Sequence, residues 1–147
     1  EHTELLIAGD ETKYPDYVKS LQTTANHRGV KFLGRIDRPI VWETLATADA
    51  VVVPSLWYET FSMLTREAFA MQVPVIASNH GALAEAVTHG VDGLLIPPGD
   101  VAAWQDAMRR FVESDELRKR LRLGVTPPLT MQTYLDNLEF YYTQGGG

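Results

Sequence analysis

The sequence predicts an α/β protein: a single Rossmann-like domain in which a parallel sheet of about five to six strands is flanked by helices and followed by a helical C-terminus. Short apolar runs rich in β-branched residues alternate with longer helical patterns, which is typical of repeated βαβ units. These runs, such as AVVVP and VPVIAS, are apolar at successive positions, which predicts central strands that are covered on both faces. After the last predicted strand, the patterns are helical to the end of the chain.

The individual elements follow from these patterns and from the residues that start and stop helices. Short apolar runs place the strands at Glu4–Ala8, Val30–Leu33, Ala50–Pro54, Val75–Ser78 and Gly93–Ile96. Helical patterns, separated from the strands by only a few residues, lie at Pro15–His27, Ile40–Thr47, Ser62–Met71 and Ala82–Val87. Three further helices are predicted behind the last strand: one after Asp100 as its N-cap, one over Asp115–Gly124, and one that follows Pro127 and Pro128. Residues 1–144 are therefore interpreted as one domain and Gly145–Gly147 as a tail.

Charge and cysteine content narrow the function classes. The chain of 147 residues has a formal net charge of −6, with 13 Lys and Arg against 19 Asp and Glu, which disfavours binding to nucleic acid. It contains no Cys, which excludes disulfides, zinc ribbons and thiol chemistry. The histidines are spread singly, so we interpret them as loop or surface residues and expect no metal site: His2, His27, His80 and His89. The apolar runs are too short to cross a bilayer.

The stretch WYETFSMLTREAFAM carries two acids, Glu59 and Glu67, within a mostly apolar run. In one continuous helix their side chains would point ~80° apart, so we predict that Glu59 lies in the strand-to-helix loop and Glu67 in the second helical turn. Ligands of such sheets bind beyond the carboxyl ends of the strands. There, first-turn amides suit a phosphate, and carboxylates accept hydrogen bonds from sugar hydroxyls. Spacing alone leaves an alternative open, in which Glu59 complements the helix dipole and Glu67 lies on a solvated face.

The segment Val51–Asp100 resembles the donor-binding half of the retaining group 1 (family 4) glycosyltransferases of GT-B architecture. The resemblance is carried by Glu59 and Glu67 with seven residues between them, a small-Pro-Val strand, a Gly-rich turn that ends in Glu, and the closing run GLLIPPGD. The flanking runs LLIAGDE, VKFLGRI and LATADAVVVPS fit the same family. The resemblance therefore covers essentially the whole chain.

The resemblance implies a role for each matching residue. Glu59, the expected catalytic residue, would contact hydroxyls of the donor sugar and orient it, and Glu67 would hold the ribose hydroxyls. The diphosphate and the sugar would be cradled by the residues between them: Thr60, Phe61, Ser62, Met63 and Leu64. The nucleobase would lie along the loop after the second strand: Gly34, Arg35 and Ile36. As alternatives, Phe61, Met63 and Leu64 would be ordinary core residues, and Arg35 a solvated loop cation.

The chain departs from the family pattern at Thr60, Ser62 and Ala82, where the family commonly has Gly. Gly lets a backbone approach a ligand closely, whereas the hydroxyls of Thr60 and Ser62 could themselves donate to a sugar or a phosphate. Glu85 is interpreted as a helix-start residue without a chemical role.

The resemblance also implies what surrounds such a domain. Family members begin it with an earlier strand and loop whose Arg and Lys neutralise the diphosphate, and they hold the acceptor on an N-terminal domain. We expect both to lie outside this sequence, which by itself would be inactive. The expected partners are a nucleotide-sugar donor and the N-terminal acceptor domain, with no metal or cofactor. The expected location is cytoplasmic, with peripheral contact of the full-length enzyme to the inner membrane face.

The last predicted helix carries an apolar stripe near helical spacing. Its members are Met131, Tyr134, Leu135, Leu138, Tyr141 and Tyr142. We expect part of this stripe to be exposed and to mediate self-association, with packing into the core as the alternative.

Two other function classes fit the βαβ rhythm. A noncatalytic, flavodoxin-like regulatory or binding module would need an acidic cluster and a Lys at fixed strand ends. Asp10 and Glu11 follow the first strand, but no matching Lys follows a later strand. A nucleotide-sugar epimerase of the same architecture would share the sheet and differ in its acids.

Overall fold

The computed structural model describes residues 3–144, with the Gln144 side chain left out, so His2 and the predicted tail Gly145–Gly147 lie outside the described residues. The elements in chain order are β1 Leu5–Ala8, α1 Pro15–Thr24, β2 Val30–Gly34, α2 Arg38–Thr47, β3 Val51–Val53, α3 Met63–Ala70, β4 Val75–Ser78, α4 Gly81–Ala86, β5 Gly93–Ile96, α5 Val101–Glu113, α6 Asp115–Gly124 and α7 Met131–Gln144. Strand and helix alternate up to β5, and helices follow it, as the sequence predicts. The fold is α/β, with strands that pair in parallel.

The chain divides into two compact units, Glu1–Thr47 and Ala48–Gly147. In the first unit β1 and β2 pair in parallel, with Leu5 opposite Val30 and Ala8 opposite Gly34. Residues along both strands alternate between half-buried and exposed. The prediction that strands are covered on both faces is therefore wrong for this pair, because their runs alternate in the structure as one-sided strands do.

In the second unit, β4 lies between β3 and β5, and all three strands run parallel. All four residues of β4 are buried, which confirms the prediction of a doubly covered strand from the run VPVIAS. At Gly93, which pairs with Val75 on β4, a Cβ atom would collide with the Val75 carbonyl oxygen. Gly93 therefore allows β5 to approach β4 this closely.

The core of the second unit lies between β4, β5 and the two helices that follow them. Its buried members are Ile76, Leu94, Ile96, Ala107, Phe111, Leu117 and Leu121. Full burial of a Leu or Ile side chain contributes about 1.5–3 kcal/mol, so this cluster is a major source of the unit's stability. α3 packs against β3 and β4 through Thr65, Ala68 and Phe69, which recur at helical spacing.

Helix starts and ends follow the expected chemistry with small shifts. The predicted N-cap of α5 is confirmed, because the Asp100 carboxylate accepts a hydrogen bond of 3.0 Å from the Ala103 N–H. α2 begins at Arg38, two residues before the predicted start, with Pro39 in its first turn, where the missing N–H costs nothing. α1 ends at Thr24, three residues before the predicted His27.

The C-terminal helix α7 presents most of its apolar stripe to solvent. Met131, Tyr134, Leu135, Tyr141 and Tyr142 are exposed, and Leu138 is half-buried. The alternative in which this stripe packs into the core is therefore wrong, and its role in self-association stays a prediction. Among residues 3–144, no helix has both the length and the apolar character needed to span a bilayer.

Candidate functional site

The loop from Pro54 to Ser62 connects the carboxyl end of β3 to α3 and carries Glu59, as predicted. At its end, Ser62 is buried and has a φ of 53°, in the left-handed region where a non-Gly residue costs about 1–2 kcal/mol. This conformation gives a physical reason why Gly suits the position. The Ser62 hydroxyl lies 2.8 Å from the Thr65 hydroxyl, and the two share a buried hydrogen bond.

The start of α3 leaves backbone donors in its first turn. Thr65 and Arg66 both donate their N–H groups to the Ser62 carbonyl. The N–H groups of Met63 and Leu64 precede these and have no intrahelical acceptor, as at the start of any helix. Within the described part of the chain, no side chain caps this helix. An anion could therefore accept hydrogen bonds from these amides, aided by the helix dipole.

The side chains around this helix start face solvent. Phe61 is 58% exposed, Met63 63% and Leu64 40%, so the alternative that they are core residues is wrong. The Arg66 guanidinium lies 5.3 Å from the centroid of the Phe61 ring, a cation–π distance. Arg66 thereby adds a cation beside the helix start.

Glu59 is half-buried, and both its side chain and its backbone accept hydrogen bonds. Its carboxylate accepts a hydrogen bond of 2.7 Å from the Ser55 hydroxyl. Its carbonyl oxygen accepts one of 3.3 Å from the N–H of Ala82, at the start of α4. The carboxylate keeps acceptor sites beyond the one that Ser55 uses, so it can also bind ligand hydroxyls.

Glu67 lies in the second turn of α3, as predicted, and is half-buried. Its carbonyl accepts a hydrogen bond of 3.2 Å from Met71 N–H at the end of the helix. Glu59 and Glu67 thus belong to one loop and the helix that follows it, rather than to one continuous helix. That both carboxylates reach a single ligand stays a prediction.

The residues predicted for the nucleobase lie in the first unit, at the end of β2. Gly34 has a φ of 64°, and its carbonyl accepts a hydrogen bond of 2.9 Å from Gly9 N–H. Arg35 is exposed and Ile36 half-buried. The alternative of a solvated cation therefore describes Arg35 in this structure, and the nucleobase role stays a prediction.

Asp10 follows β1 in the same unit and illustrates how local hydrogen bonds tune an acid. The Thr12 hydroxyl donates to its carboxylate over 2.6 Å and the Thr12 N–H over 2.9 Å. These bonds favour the charged form and lower the pKa of Asp10 below its ordinary value, with a smaller contribution from the charge of Arg35.

A cavity of about 220 Å³ lies between the strands of the first unit and α1, and sequence reasoning did not find it. Its apolar lining includes Ile7, Val18, Leu21 and Phe32, and Tyr17 also lines it. Within the described range, α1 has no buried residue, and some of its side chains line this pocket.

Sequence reasoning also missed the partners of Glu59. Ser55 and Tyr58 precede it in the loop, and His80 stacks on the Tyr58 ring with centroids 4.9 Å apart. We interpreted His80 from sequence as a single loop or surface histidine, but it is half-buried and in contact with the loop. His80 stands between Asn79 and Gly81 in a turn, and a single histidine there carries no periodic signal that could have revealed this contact. In the part of the chain that the structure describes, no three His, Asp or Glu side chains converge as a metal site would require.

This combination of a parallel α/β fold with an acid-bearing loop before an uncapped helix agrees with the family comparison. Residues 1–114 match the family described as glycosyl transferases group 1. The match covers more than half of the chain, so the chain belongs to this family, and the predicted resemblance is confirmed. Its fold is the Rossmann-like fold of the GT-B glycosyltransferases.

Several relatives of known name are much longer than this chain. Glycogen synthase of Mycobacterium tuberculosis is 34% identical over 128 residues, which are 87% of this chain and 31% of that protein. D-inositol 3-phosphate glycosyltransferase of Jonesia denitrificans is 33% identical over 124 residues, 82% of this chain and 29% of that protein. The crystal structure of Anabaena Alr3699/HepE in complex with UDP superimposes with a TM-score of 0.77 and 25% identity, over 99% of this chain and 41% of that one. The chain therefore spans about a third of the length of these curated relatives.

Proposed function

We propose that this chain is the donor-binding domain of a retaining glycosyltransferase. It binds a nucleotide diphosphate sugar, from which a hexose-type unit is transferred to an acceptor held by an N-terminal domain. The observation that carries the proposal is the uncapped start of α3 between Glu59 and Glu67. The UDP bound in the solved structure of Anabaena Alr3699/HepE supports this class of ligand.

In this proposal, the helix start binds the diphosphate. The amides of Met63 and Leu64 and the positive end of the helix dipole donate to the phosphate oxygens. Charge builds up on the leaving diphosphate as the bond to the sugar breaks, and donors that are already oriented stabilise that charge without rearranging. The left-handed turn at Ser62 sets the direction of the first-turn amides, and Thr60 and Phe61 lie beside them in sequence.

The two acids bind the hydroxyl groups at either end of the diphosphate. Glu59 contacts hydroxyls of the sugar and orients it, while Ser55 and Ala82 hold Glu59 in place. Glu67 accepts hydrogen bonds from the ribose hydroxyls. The assignment of Gly34, Arg35 and Ile36 to the nucleobase stays a prediction of the family resemblance.

The remaining features of the proposal concern the whole enzyme. The acceptor domain and the Arg and Lys that neutralise the diphosphate are supplied from outside this sequence, so the 147-residue chain alone is inactive. No metal or cofactor takes part. The enzyme is cytoplasmic, with peripheral contact to the inner membrane face, and the exposed stripe of α7 mediates self-association of the isolated chain.

Titration with UDP, GDP and ADP and their sugar derivatives tests the proposal, using the full-length protein and calorimetry. We expect one nucleotide series to bind. Glu67→Ala should then raise the donor KM about 10- to 100-fold, because a hydrogen bond to a charged group contributes about 1.5–3 kcal/mol. Glu85→Ala is the matched control, since Glu85 is an exposed acid on α4, and its KM should equal that of the wild type.

The same experiment separates the two rival functions. A flavodoxin-like regulatory module would bind none of these nucleotides, and that result would overturn the proposal. An epimerase would bind the nucleotide sugar but release an altered sugar with no transfer to an acceptor, which product analysis detects. An unchanged KM in Glu67→Ala would remove Glu67 from the site.

A further inference from the structure

The turn between β4 and α4 contacts the Glu59 loop at three points. The His80 and Tyr58 rings stack with centroids 4.9 Å apart and an angle of 28° between their planes. The N–H of Ala82 donates a hydrogen bond of 3.3 Å to the Glu59 carbonyl. Gly81 lies between these two contacts in sequence and packs directly against Tyr58. The β4–α4 turn and the Glu59 loop are therefore packed against each other at Tyr58 and Glu59.

Gly81 shows how closely the two segments approach. A Cβ atom at this position would lie 3.0 Å from Tyr58 Cδ1 and 3.4 Å from the Glu59 carbonyl oxygen. Gly81 also has a φ of 53°, which side chains disfavour. The backbone of the turn thus fits against the loop only because no side chain intervenes at Gly81. The His80 ring stacks on one face of Tyr58, which remains 76% exposed.

One ring nitrogen of His80 takes part in no hydrogen bond within the described residues. This atom, Nε2, is buried and has no hydrogen-bond partner there. A buried polar atom without a partner is rare because it is costly. The His80 ring does stack on Tyr58, and Tyr58 is bonded directly to Glu59 in the chain.

Glu59 needs such support because its loop lacks regular structure. The residues from Pro54 to Ser62 belong to neither a strand nor a helix. Catalytic groups must be held close to their productive geometry by surrounding contacts. A displacement of about 1 Å can lower the rate by about 100-fold.

We propose that His80 is a positioning residue for Glu59: by stacking on Tyr58, it holds the loop against the β4–α4 turn so that the Glu59 carboxylate stays directed at the donor sugar. This inference rests on the proposed transferase function. His80 acts through Glu59 and does not touch the nucleotide. Its loss therefore affects turnover of the sugar more than binding of the nucleoside diphosphate.

The test uses the full-length protein with His80→Ala, His80→Phe and the double variant His80→Ala with Glu59→Gln. We expect His80→Ala to lower kcat by about 10- to 100-fold, with the Kd of the nucleoside diphosphate that the wild type binds changed by less than about twofold. His80→Phe retains a ring that can stack and should recover most of kcat. In the Glu59→Gln background, His80→Ala should have little further effect, because residues that act through one another are not additive.

Two controls keep the test decisive. His27→Ala removes an exposed imidazole in the first unit and should leave kcat unchanged. If His80→Ala fails to fold in a thermal unfolding scan, Tyr58→Ala removes the other half of the stack and should show the same selective loss of kcat.

Several results would overturn the inference. In an active enzyme, these are an unchanged kcat in His80→Ala, an equal loss of kcat in the Glu59→Gln background, or no recovery with His80→Phe. A wild type that neither binds a nucleoside diphosphate nor transfers a sugar would overturn the proposed function and the role of His80 together. Activity of the wild-type protein therefore distinguishes a failure of the proposed function from a failure of the role of His80 alone.

Discussion

The two units of this chain are built from the same βα elements but differ in how fully their strands are covered. In the first unit, β1 and β2 alternate between half-buried and exposed positions. In the second unit, all of β4 is buried and a contiguous apolar cluster fills the space around it. Glu59 and Glu67 lie in this better-packed unit. The proposed catalytic loop therefore belongs to the unit whose strands are more fully buried.

Truncation of one leucine side chain in each unit should give the largest difference in stability between them. Leu121, on α6, is 0% exposed within the apolar cluster, whereas Leu33, on β2, is 37% exposed. Leu121→Ala should lower the free energy of unfolding by about 2–5 kcal/mol, because it leaves a cavity in a packed core. Leu33→Ala should lower it by about 1 kcal/mol or less. Urea unfolding followed by circular dichroism measures both, and equal losses would show that the two units are packed alike.

Replacement of one glutamine by glycine in each unit should change the free energy of unfolding in opposite directions, because the two residues differ in backbone conformation. Gln72 follows α3 with a φ of 57°, where Gly is preferred, whereas Gln22 lies within α1. Gln72→Gly should raise the free energy of unfolding by about 0.5–1 kcal/mol, since it relieves the left-handed strain. Gln22→Gly should lower it by about the same amount, because Gly disfavours a helix. A loss of stability in Gln72→Gly would mean that its side chain contributes more than its backbone costs.

The smallest effect should be the pH dependence of stability that one aspartate contributes in each unit. Its sign should be opposite for Asp92, in the second unit, and Asp10, in the first. Asp92 accepts a hydrogen bond of 2.7 Å from Thr88 N–H, yet burial raises its pKa above the ordinary value. Its contribution to stability is therefore present at acid pH and is lost as the pH rises through the folded-state pKa. Asp92→Asn should be more stable than the wild type at pH 7 by a few tenths of a kcal/mol, discounted for partial exposure, and should match it below about pH 4.

Asp10 provides the comparison in the first unit. Because hydrogen bonds from Thr12 lower its pKa, its contribution to stability is present above the unfolded-state pKa and is lost as the pH falls. Asp10→Asn should therefore be less stable than the wild type at pH 7 and equal to it at low pH. Thermal unfolding between pH 3 and pH 7 measures both variants, and a parallel response of the two would contradict the assigned signs.

Much of the fold could be predicted because the signals are local. The strand at Val75–Ser78 was predicted with its observed bounds from one apolar run, and the N-cap Asp100 from one acid before a helical pattern. The exposed positions of β1 could not be predicted, because its run LLIA is as apolar as those of covered strands, whereas Lys31 does mark an exposed position of β2. Which faces of a strand are buried depends on the elements that pack against it, and the local sequence of the strand does not specify those elements.

The candidate site was predicted in part for the same reason. Glu59 and Glu67 stand out as acids in an apolar run, and Ser62 stands out as a departure from Gly in the family pattern; both signals are readable along the chain. The contact of His80 and Ala82 with the loop joins residues about twenty positions apart, and neither residue type marks a contact by itself. Such long-range support becomes visible only in three dimensions.

The starts of α3 and α5 differ in a way that bears on how a ligand would change the protein. The Asp100 carboxylate accepts a hydrogen bond from the Ala103 N–H in the first turn of α5. The Ser62 hydroxyl is instead engaged with Thr65, and no side chain in residues 3–144 caps α3. α3 therefore lacks the stabilisation that a side-chain cap supplies, and a bound anion would provide it instead. Binding of an anion at the start of α3 would therefore shift the local folding equilibrium of α3 towards the folded helix. It would leave the stability of α5 unchanged.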